Sequence, residues 1–434
     1  MWKLVILAVA MALTGCGGGG GGAGANQTPS NSPILAATLV TSILTTVSIV
    51  PSLVPGKFDN QGGSYVIMSG WYVGSLSAPP VKIIKIDTNG TATDATVTVL
   101  GSEYSISVAH PVVADFNNDG IDDIFFLGFT DSPGTGLNPS SVFLSRTGQA
   151  HQKIELGSQV WSHSNIAVDL NNDGYLDVID AMGQAYINNG GTGFTYQGIA
   201  DAGILGSGIC AGDFTNSGTK AVVVTDGWLT QQDTTIVSVN ADFTTTLLAT
   251  LPMPFFDRNN ANWDGATANE YSHDVSCITG DVNNDGKIDI VMVSADNRPT
   301  TGRGFVVQVY LNQGNLQFVE GTDSIGYQPL HSSYTPRFFD FNNDGKLDIW
   351  LMNRDWSGTS ANQAWINSGS AMWTQSKAND IENLLSKFTA DREADYRERG
   401  VMIPVKVGSA WNMVYTTQIY NKIFLGYSAT QWTF

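Results

Sequence analysis

Basic residues are scarce in this chain of 434 residues: Lys and Arg total 21 against 39 Asp and Glu, a net charge of −18. Nucleic-acid-binding surfaces need clustered positive charge, so this balance argues against a nucleic-acid partner. It fits a protein that binds cations. Catalytic motifs are also missing, because the sequence contains no HExxH, GxSxG or CxxC. We therefore expect that the chain is not an enzyme.

The N-terminus has the pattern of a targeting segment rather than of a folded element. Lys3 precedes a short apolar stretch, Leu4–Leu13, and the segment Leu-Thr-Gly-Cys then ends at Cys16. This segment resembles the lipobox of bacterial lipoproteins, in which the Cys is acylated and becomes the first mature residue. The sequence thus predicts a lipoprotein signal peptide in residues 1–15 and a Gly-rich tether in residues 16–33. The alternative is an ordinary signal peptide that is cleaved nearby.

Cysteine is rare, and two residues remain after Cys16: Cys210 and Cys277. They precede equivalent acidic motifs by three and by four residues. Successive side chains of a strand point to opposite faces, so this difference in parity favours two free buried thiols over a disulfide. An exported protein could nevertheless oxidise them.

A nine-residue segment recurs five times at intervals of 44 to 68 residues, the scale of a propeller blade. Four copies have Asp at positions 1, 5 and 9, Asn at position 3 and Gly at position 6; the fifth has lost the carboxylates at positions 5 and 9. The four complete copies are Asp115–Asp123, Asp169–Asp177, Asp281–Asp289 and Asp340–Asp348, and the degenerate copy is Asp213–Ala221.

These segments concentrate the oxygen ligands that calcium prefers. Positions 1, 3, 5 and 9 supply side-chain oxygens, position 7 supplies a main-chain carbonyl, and calcium takes 6–8 such ligands. Cys and His are absent from the segments, which disfavours zinc and copper. Asx-rich turns without metal are the alternative. The predicted ligands of about four Ca²⁺ ions are Asp115, Asn117, Asp119, Ile121, Asp123, Asp169, Asn171, Asp173, Tyr175, Asp177, Asp281, Asn283, Asp285, Lys287, Asp289, Asp340, Asn342, Asp344, Lys346 and Asp348.

Short apolar runs flank the segments, for example Val112–Ala114 before the first copy and Ile124–Leu127 after it. Such runs are typical of buried strands, whereas an EF-hand would have helices there. Acidic loops between strands resemble the FG-GAP or VCBS repeats, best known from the head of the integrin α subunit. The resemblance covers residues 34–434 and implies an all-β propeller of four-stranded blades in which calcium loops join first to second strands. Counting blades along the chain gives a seven-bladed β-propeller. The degenerate copy is assigned no metal.

The two ends of the predicted propeller are the least regular. Blade one lacks an acidic loop, and the last blade offers three strands, so we expect part of segment 34–50 to supply its fourth. The predicted strands of these blades are Tyr65–Gly70, Val81–Asp87, Thr93–Leu100, Val401–Val407, Trp411–Thr417 and Lys422–Tyr427.

Long connections on the face opposite the acidic loops are predicted to bind the ligand, since binding residues concentrate on loops above a rigid scaffold. They are residues 129–140, 254–273, 295–304 and 354–363. Aromatic side chains in this region would stack on sugars or anchor a protein, or alternatively cap the blades. They are Trp71, Trp228, Trp263, Tyr271 and Trp356.

Two further features accompany this face. Histidines precede the first strand of several blades, and we expect hydrogen bonds between blades rather than a ligand ring. They are His110, His163, His273 and His331. An amphipathic helix is predicted from Asn379 to Gly400, either a lid or a docking element.

The predicted function is a lipid-anchored, calcium-binding adhesion or binding module of the outer membrane or cell surface, with a carbohydrate or protein ligand. Two alternatives remain open. One is a structural subunit of an envelope assembly, and the other is a carbohydrate-active enzyme such as a polysaccharide lyase, which would need a paired acid and base.

Overall fold

The structure is a computed structural model. It describes residues 38–42, 49–72, 78, 80–108, 111–128, 139–157, 162, 164–198, 204, 206–225, 234–251, 272–296, 304–321, 333–353, 363–369, 373–377, 401–408, 410–416 and 422–429. The chain divides into two units, Met1–Pro33 and Ile34–Phe434. All described residues belong to the second unit.

The described residues form 28 strands and one short helix. The elements are β1 (Thr38–Ser42), β2 (Ile49–Gly56), β3 (Ser64–Tyr72), β4 (Lys82–Ile86), β5 (Ala92–Asp94), α1 (Thr96–Leu100), β6 (Val112–Ala114), β7 (Asp123–Phe126), β8 (Ser141–Leu144), β9 (Gln152–Glu155), β10 (Asn165–Val168), β11 (Asp177–Asp180), β12 (Gln184–Asn188), β13 (Phe194–Gly198), β14 (Ile209–Gly212), β15 (Ala221–Val224), β16 (Thr235–Val239), β17 (Thr245–Thr250), β18 (Ser272–Gly280), β19 (Asp289–Asp296), β20 (Gly304–Gly314), β21 (Gln317–Glu320), β22 (Ser333–Phe339), β23 (Asp348–Asn353), β24 (Gln363–Asn367), β25 (Trp373–Lys377), β26 (Val401–Val407), β27 (Ala410–Thr416) and β28 (Lys422–Ala429).

These strands make seven antiparallel sheets of four. Sheets 1 to 6 each take four consecutive strands, beginning at β2, β6, β10, β14, β18 and β22, and sheet 7 has the order β26-β27-β28-β1. First strands of successive sheets contact one another from β2 to β22, while β26 contacts both β23 and β2. The all-β propeller predicted from the sequence is thereby confirmed.

The core lies between neighbouring sheets rather than inside one of them. The second strands β7, β11 and β15 are buried along their whole length, because a sheet covers each of their faces. Fourth strands are largely exposed; β9 reads Gln-Lys-Ile-Glu. Burial is therefore greatest in second strands such as β7, intermediate in first strands such as β10, and lowest in fourth strands such as β9.

The N-terminal apolar segment completes the last sheet, as the sequence predicts. β1 pairs antiparallel with β28, with Thr38 opposite Leu425 and Ser42 opposite Lys422. The remainder of the segment was not anticipated: β2 begins at Ile49 and is the first strand of sheet 1. The two ends of the propeller thus share one sheet, and this pairing holds the ring closed.

The prediction of a strand over Thr93–Leu100 is wrong after Asp94. The Oδ1 atom of Asp94 accepts hydrogen bonds from the N–H (3.0 Å) and hydroxyl (2.6 Å) of Thr96, an Asx turn that ends β5. The Thr96 hydroxyl oxygen then accepts from the N–H of Ile83 at 2.9 Å. The β-branched residues that follow pack as α1, which buries Leu100.

The prediction of two free thiols is also wrong. Cys210 on β14 and Cys277 on β18 form a disulfide with a Cα–Cα distance of 5.7 Å. These strands belong to neighbouring sheets that meet face to face. Facing side chains on equivalent strands must point to opposite sides of their own sheets. The different offsets from the acidic motifs therefore direct the two sulfurs towards each other.

Candidate metal-binding loops

The first acidic loop, between β6 and β7, shows how its side-chain oxygens turn inwards. The carboxylate of Asp115 accepts from the N–H groups of Asp119 (3.1 Å) and Gly120 (2.7 Å). The Oδ1 of Asn117 accepts from the N–H of Asp119 (3.0 Å), and that of Asp119 from the N–H of Ile121 (2.9 Å). Positions 1, 3 and 5 thus point their oxygens into one turn.

The other three acidic loops repeat these bonds. In each, the position 1 carboxylate accepts from the N–H groups of positions 5 and 6, and position 5 accepts from position 7. The N–H donors to Asp169, Asp281 and Asp340 lie at 2.8 to 3.2 Å. The four loops therefore have one conformation.

Backbone conformation explains the recurring Asn-Asp-Gly at positions 4 to 6. Asn at position 4 has φ between 56° and 60° in all five loops, and Gly at position 6 has φ between 80° and 89°. Both values lie in the left-handed region, which Gly and Asn adopt most readily. The Asn residues are Asn118, Asn172, Asn216, Asn284 and Asn343.

The position 9 carboxylate is fully buried at the base of each acidic loop, as Asp123, Asp177, Asp289 and Asp348 show. Burial raises the pKa of each to about 6, although backbone N–H groups donate to both oxygens, and carboxylates of the same loop add to the increase. A divalent cation would act in the opposite direction, because positive charge favours the ionised form.

Lysines at position 7 contact two of the position 5 carboxylates. The Nζ atom of Lys287 lies 2.7 Å from Asp285 Oδ2, and that of Lys346 lies 2.7 Å from Asp344 Oδ2. Burial of Asp285 opposes ionisation, yet these hydrogen bonds lower the pKa of both carboxyl groups, whose side chains are 32% and 30% exposed. Such exposed pairs contribute little to stability, and they leave the main-chain carbonyl of position 7 as its expected ligand.

The degenerate loop has the same conformation as the acidic loops but lacks two of their three carboxylates. The carboxylate of Asp213 still accepts from the N–H groups of Ser217 (3.0 Å) and Gly218 (2.6 Å). Ser217 stands where the acidic loops have a second Asp, and Ala221 where they have a third. The turn therefore forms without a full ligand set.

Sequence reasoning missed a contact between sheets that recurs three times. An Asn at or near the end of the third strand in sheets 3, 5 and 6 donates its side-chain N–H to the position 2 carbonyl in the loop of the preceding sheet, at 2.7 to 2.9 Å. Its own N–H donates to the buried position 9 carboxylate. The residues are Asn188, Asn312 and Asn367. Their recurrence before a Gly-rich turn was the available signal.

Within the described residues, no three His, Cys, Asp or Glu side chains converge closely enough to enclose an ion. The loop oxygens are held instead by the N–H groups of their own turn. The donor set still fits a hard cation, because each acidic loop offers three carboxylates and an amide oxygen, and a carboxylate oxygen has more than one lone pair.

The predicted ligand face lies largely outside the described residues. The residues of this face that lie outside the described part of the chain are Trp228, Trp263, Tyr271, Trp356, His110, His163, His331 and the predicted helix 379–400. Trp71 and His273 lie on β3 and β18, where only the backbone is described. Among the described helices, none is long and apolar enough to cross a membrane.

Comparison with known proteins finds a family model that matches part of the chain and a solved structure of low similarity. Residues 281–351 match the FG-GAP-like repeat family, and this stretch contains the third and fourth acidic loops. Among curated proteins, none matches the chain. The crystal structure of the Vanderwaltozyma polyspora Nup133 β-propeller domain is 9% identical, with a TM-score of 0.40 over 93% of this chain and 100% of that one. The sheet topology and the match over residues 281–351 together show that the chain is a β-propeller that contains an FG-GAP-like repeat.

Proposed function

We propose that this chain is a calcium-binding, lipid-anchored adhesion or binding module of the cell envelope, built as a seven-bladed β-propeller in residues 34–434. The observation that supports it is the fourfold recurrence of one loop conformation in which three carboxylates share a turn. Each loop buries one of these carboxylates beside the others, a costly arrangement unless a cation compensates it.

Calcium would be held in each acidic loop by positions 1, 3, 5 and 9 and by the main-chain carbonyl of position 7. Its charge would ionise the buried position 9 carboxylate and relieve the repulsion among the three acids. Four ions would change the net charge from −18 to about −10, since −18 + 4 × 2 = −10.

Export to an oxidising compartment is supported by the Cys210–Cys277 disulfide, because such bonds are rare in the cytosol. We propose that residues 1–15 are removed, that Cys16 is acylated, and that residues 16–33 tether the propeller to the outer membrane or cell surface. Cys16→Ala should then release the protein from the membrane fraction into the soluble fraction. Retention of that variant in the membrane would contradict lipidation.

The ligand is proposed to bind at the end of the sheets opposite the acidic loops. The turn after β12 lies against the first acidic loop, since a Cβ atom on Gly191 would come within 2.8 Å of Asn117 Cα. Acidic loops and third-to-fourth strand turns thus share one end. The long connections, which include Trp263 and Trp356, would then lie at the opposite end of the sheets, where they would bind carbohydrate or protein.

Elemental analysis combined with thermal unfolding tests the metal. We expect about four calcium ions per chain and a lower Tm in EDTA, because calcium would bind only the folded loops. Magnesium should restore less of the loss, since it demands a regular octahedral site. No bound metal together with identical unfolding curves in EDTA and calcium would contradict the proposal. A glycan array and pull-down from the source membrane then identify the ligand.

A further inference from the structure

The loop of sheet 1, residues 57–64, has the length and strand register of the acidic loops, although its sequence lacks most of their carboxylates. Gly56 opposite Tyr65 closes it, with eight residues between them, as in the five recurring loops. Phe58 is buried at position 2, and Gly62 has φ of 81° at position 6. Sheet 1 thus contains a sixth copy of the loop.

In this copy, a lysine from another strand donates hydrogen bonds to the side-chain oxygens of the loop. The Oδ1 of Asp59, at position 3, accepts from the N–H of Gln61 (2.9 Å), as the equivalent Asn does in the acidic loops. The ammonium group of Lys85 donates to Asp59 Oδ2 and, at 3.0 Å, to Gln61 Oε1. It therefore bridges the oxygens of positions 3 and 5. The hydroxyl of Tyr65, at position 9, donates to Asp59 Oδ2 at 2.6 Å.

The place of Lys85 distinguishes sheet 1 from the sheets with acidic loops. Lys85 lies on the third strand, directly opposite Tyr65 at position 9. Continuing the registers of the other sheets places an aliphatic residue there, opposite the position 9 Asp. These residues are Leu144, Ile187, Leu311 and Ile366. In sheet 1, a lysine on the third strand accompanies the loss of the position 9 carboxylate. In sheet 4, where position 9 is Ala221, the same register places Ser238 there.

The electrostatics of the cluster favour an ionised pair. The side chains of Lys85 and Asp59 are 19% and 22% exposed. Burial alone would lower the pKa of Lys85, but the hydrogen bonds to Asp59 and Tyr65 outweigh it and raise that pKa. Burial likewise opposes ionisation of Asp59, and the bonds from Lys85 and Tyr65 lower its pKa nonetheless.

We propose that residues 57–64 form a site equivalent to the cation sites of the acidic loops, and that the ammonium group of Lys85 takes the place of a metal ion there. Sheet 1 then needs no calcium, and it stays ordered at calcium concentrations too low to fill the acidic loops. This matters at the closure of the ring, where β1 contacts β5 and β2 contacts β26. The comparison with the acidic loops rests on the proposed calcium binding; the role of Lys85 does not.

Thermal unfolding of full-length Lys85→Met, Asp59→Asn and the double variant tests the role of Lys85. Each single substitution should lower Tm by about 2–4 °C, equally in calcium and in EDTA. The double variant should lose little more than either single variant, because both break one interaction. An unchanged Tm, or a loss that appears in calcium alone, would overturn the proposal. Wild-type metal content, measured in parallel, reports separately on the proposed function.

Conversion of the loop supplies a second test. Lys57→Asp, Gln61→Asp and Tyr65→Asp restore three carboxylates, and the set is made once with Lys85 retained and once with Lys85→Leu. With Lys85→Leu, the chain should bind one calcium ion more than wild type; with Lys85 retained, the metal content should stay unchanged. Equal calcium content in the two sets would mean that the Lys85 ammonium group does not take the place of a metal ion in this loop.

Discussion

The side-chain amide of Asn188 donates to the backbone carbonyl of Phe116 at 2.8 Å, and so joins the third strand of sheet 3 to the acidic loop of sheet 2. A second bond of the same amide, 3.0 Å long, reaches the carbonyl of Leu176 in its own sheet. Both carbonyls directly precede predicted ligand positions of acidic loops. A loop in one sheet is therefore positioned partly by its neighbour.

Loss of this amide should destabilise the propeller without removing metal. Asn188→Ala leaves two carbonyls without their donor in a buried site, which typically costs about 1–3 kcal/mol in the free energy of unfolding. The matched control is Asn189→Ala, because Asn189 is exposed and bonds to Thr195. Urea denaturation in calcium and in EDTA measures both. Equal stability of the two variants would contradict the role of the amide.

The acidic and degenerate loops should respond differently to loss of a carboxylate. Asp285→Ala is expected to remove about one calcium ion and to lower Tm in calcium more than in EDTA, because it deletes a ligand. Asp213→Ala breaks similar N–H bonds in a loop without a full ligand set, so its loss of Tm should be the same in both conditions. Elemental analysis and thermal unfolding distinguish them. Loss of calcium from the Asp213 variant would contradict the assignment.

Much of the loop chemistry follows from the sequence because it is local. Nine consecutive residues specify the turn, and the flanking apolar runs predict strands such as β6 and β10. The closure by β1 was also predictable, since the last sheet otherwise had three strands. Sheets 1 to 6 then repeat one register at this loop, whereas Val407 lies opposite Ala410 in sheet 7.

The features that sequence reasoning missed depend on contacts between distant segments. The disulfide required knowledge that β14 and β18 lie in facing sheets rather than in one sheet. The sixth loop was hidden because its cation is supplied by Lys85, more than twenty residues after Asp59. The helix α1 was missed because its β-branched residues favour a strand. In the structure, a hydrogen bond from the N–H of Ile83 to the hydroxyl oxygen of Thr96 fixes this residue in a turn instead.

The disulfide should contribute strongly to the stability of sheets 4 and 5. Cys210 and Cys277 are 67 residues apart, so their bond restricts a long loop of the unfolded chain. Removing it with Cys210→Ala and Cys277→Ala should lower the free energy of unfolding by about 2–4 kcal/mol. Urea denaturation of this variant, compared with wild type with and without reductant, measures the loss. If reductant leaves the wild-type midpoint unchanged, the bond is absent or contributes nothing.

A buried carboxyl group on β11 should make stability depend on pH. Asp180 is fully buried, and its Oδ1 accepts from the N–H groups of Met182 (2.9 Å) and Gln184 (2.8 Å). Burial nevertheless raises the pKa of Asp180 to about 7. An unfolded Asp has a pKa of about 3.9, so the folded state binds this proton more tightly. The contribution is present in full below about pH 4 and is lost as the pH rises through about 7.

Asp180→Asn removes the charge and keeps a carbonyl oxygen for the two N–H donors. Its stability relative to wild type should increase from pH 4 to pH 7 by about 1–3 kcal/mol and level off above. Asp87→Asn is the matched control, because Asp87 accepts equivalent bonds from Asn89 and Thr91 in an exposed turn. Urea denaturation of the three proteins across this pH range, in EDTA, isolates the effect of Asp180 from metal binding. A difference between Asp180→Asn and wild type that stays constant with pH would show that Asp180 remains ionised in the folded protein, and that water or an undetected cation reaches it within sheet 3.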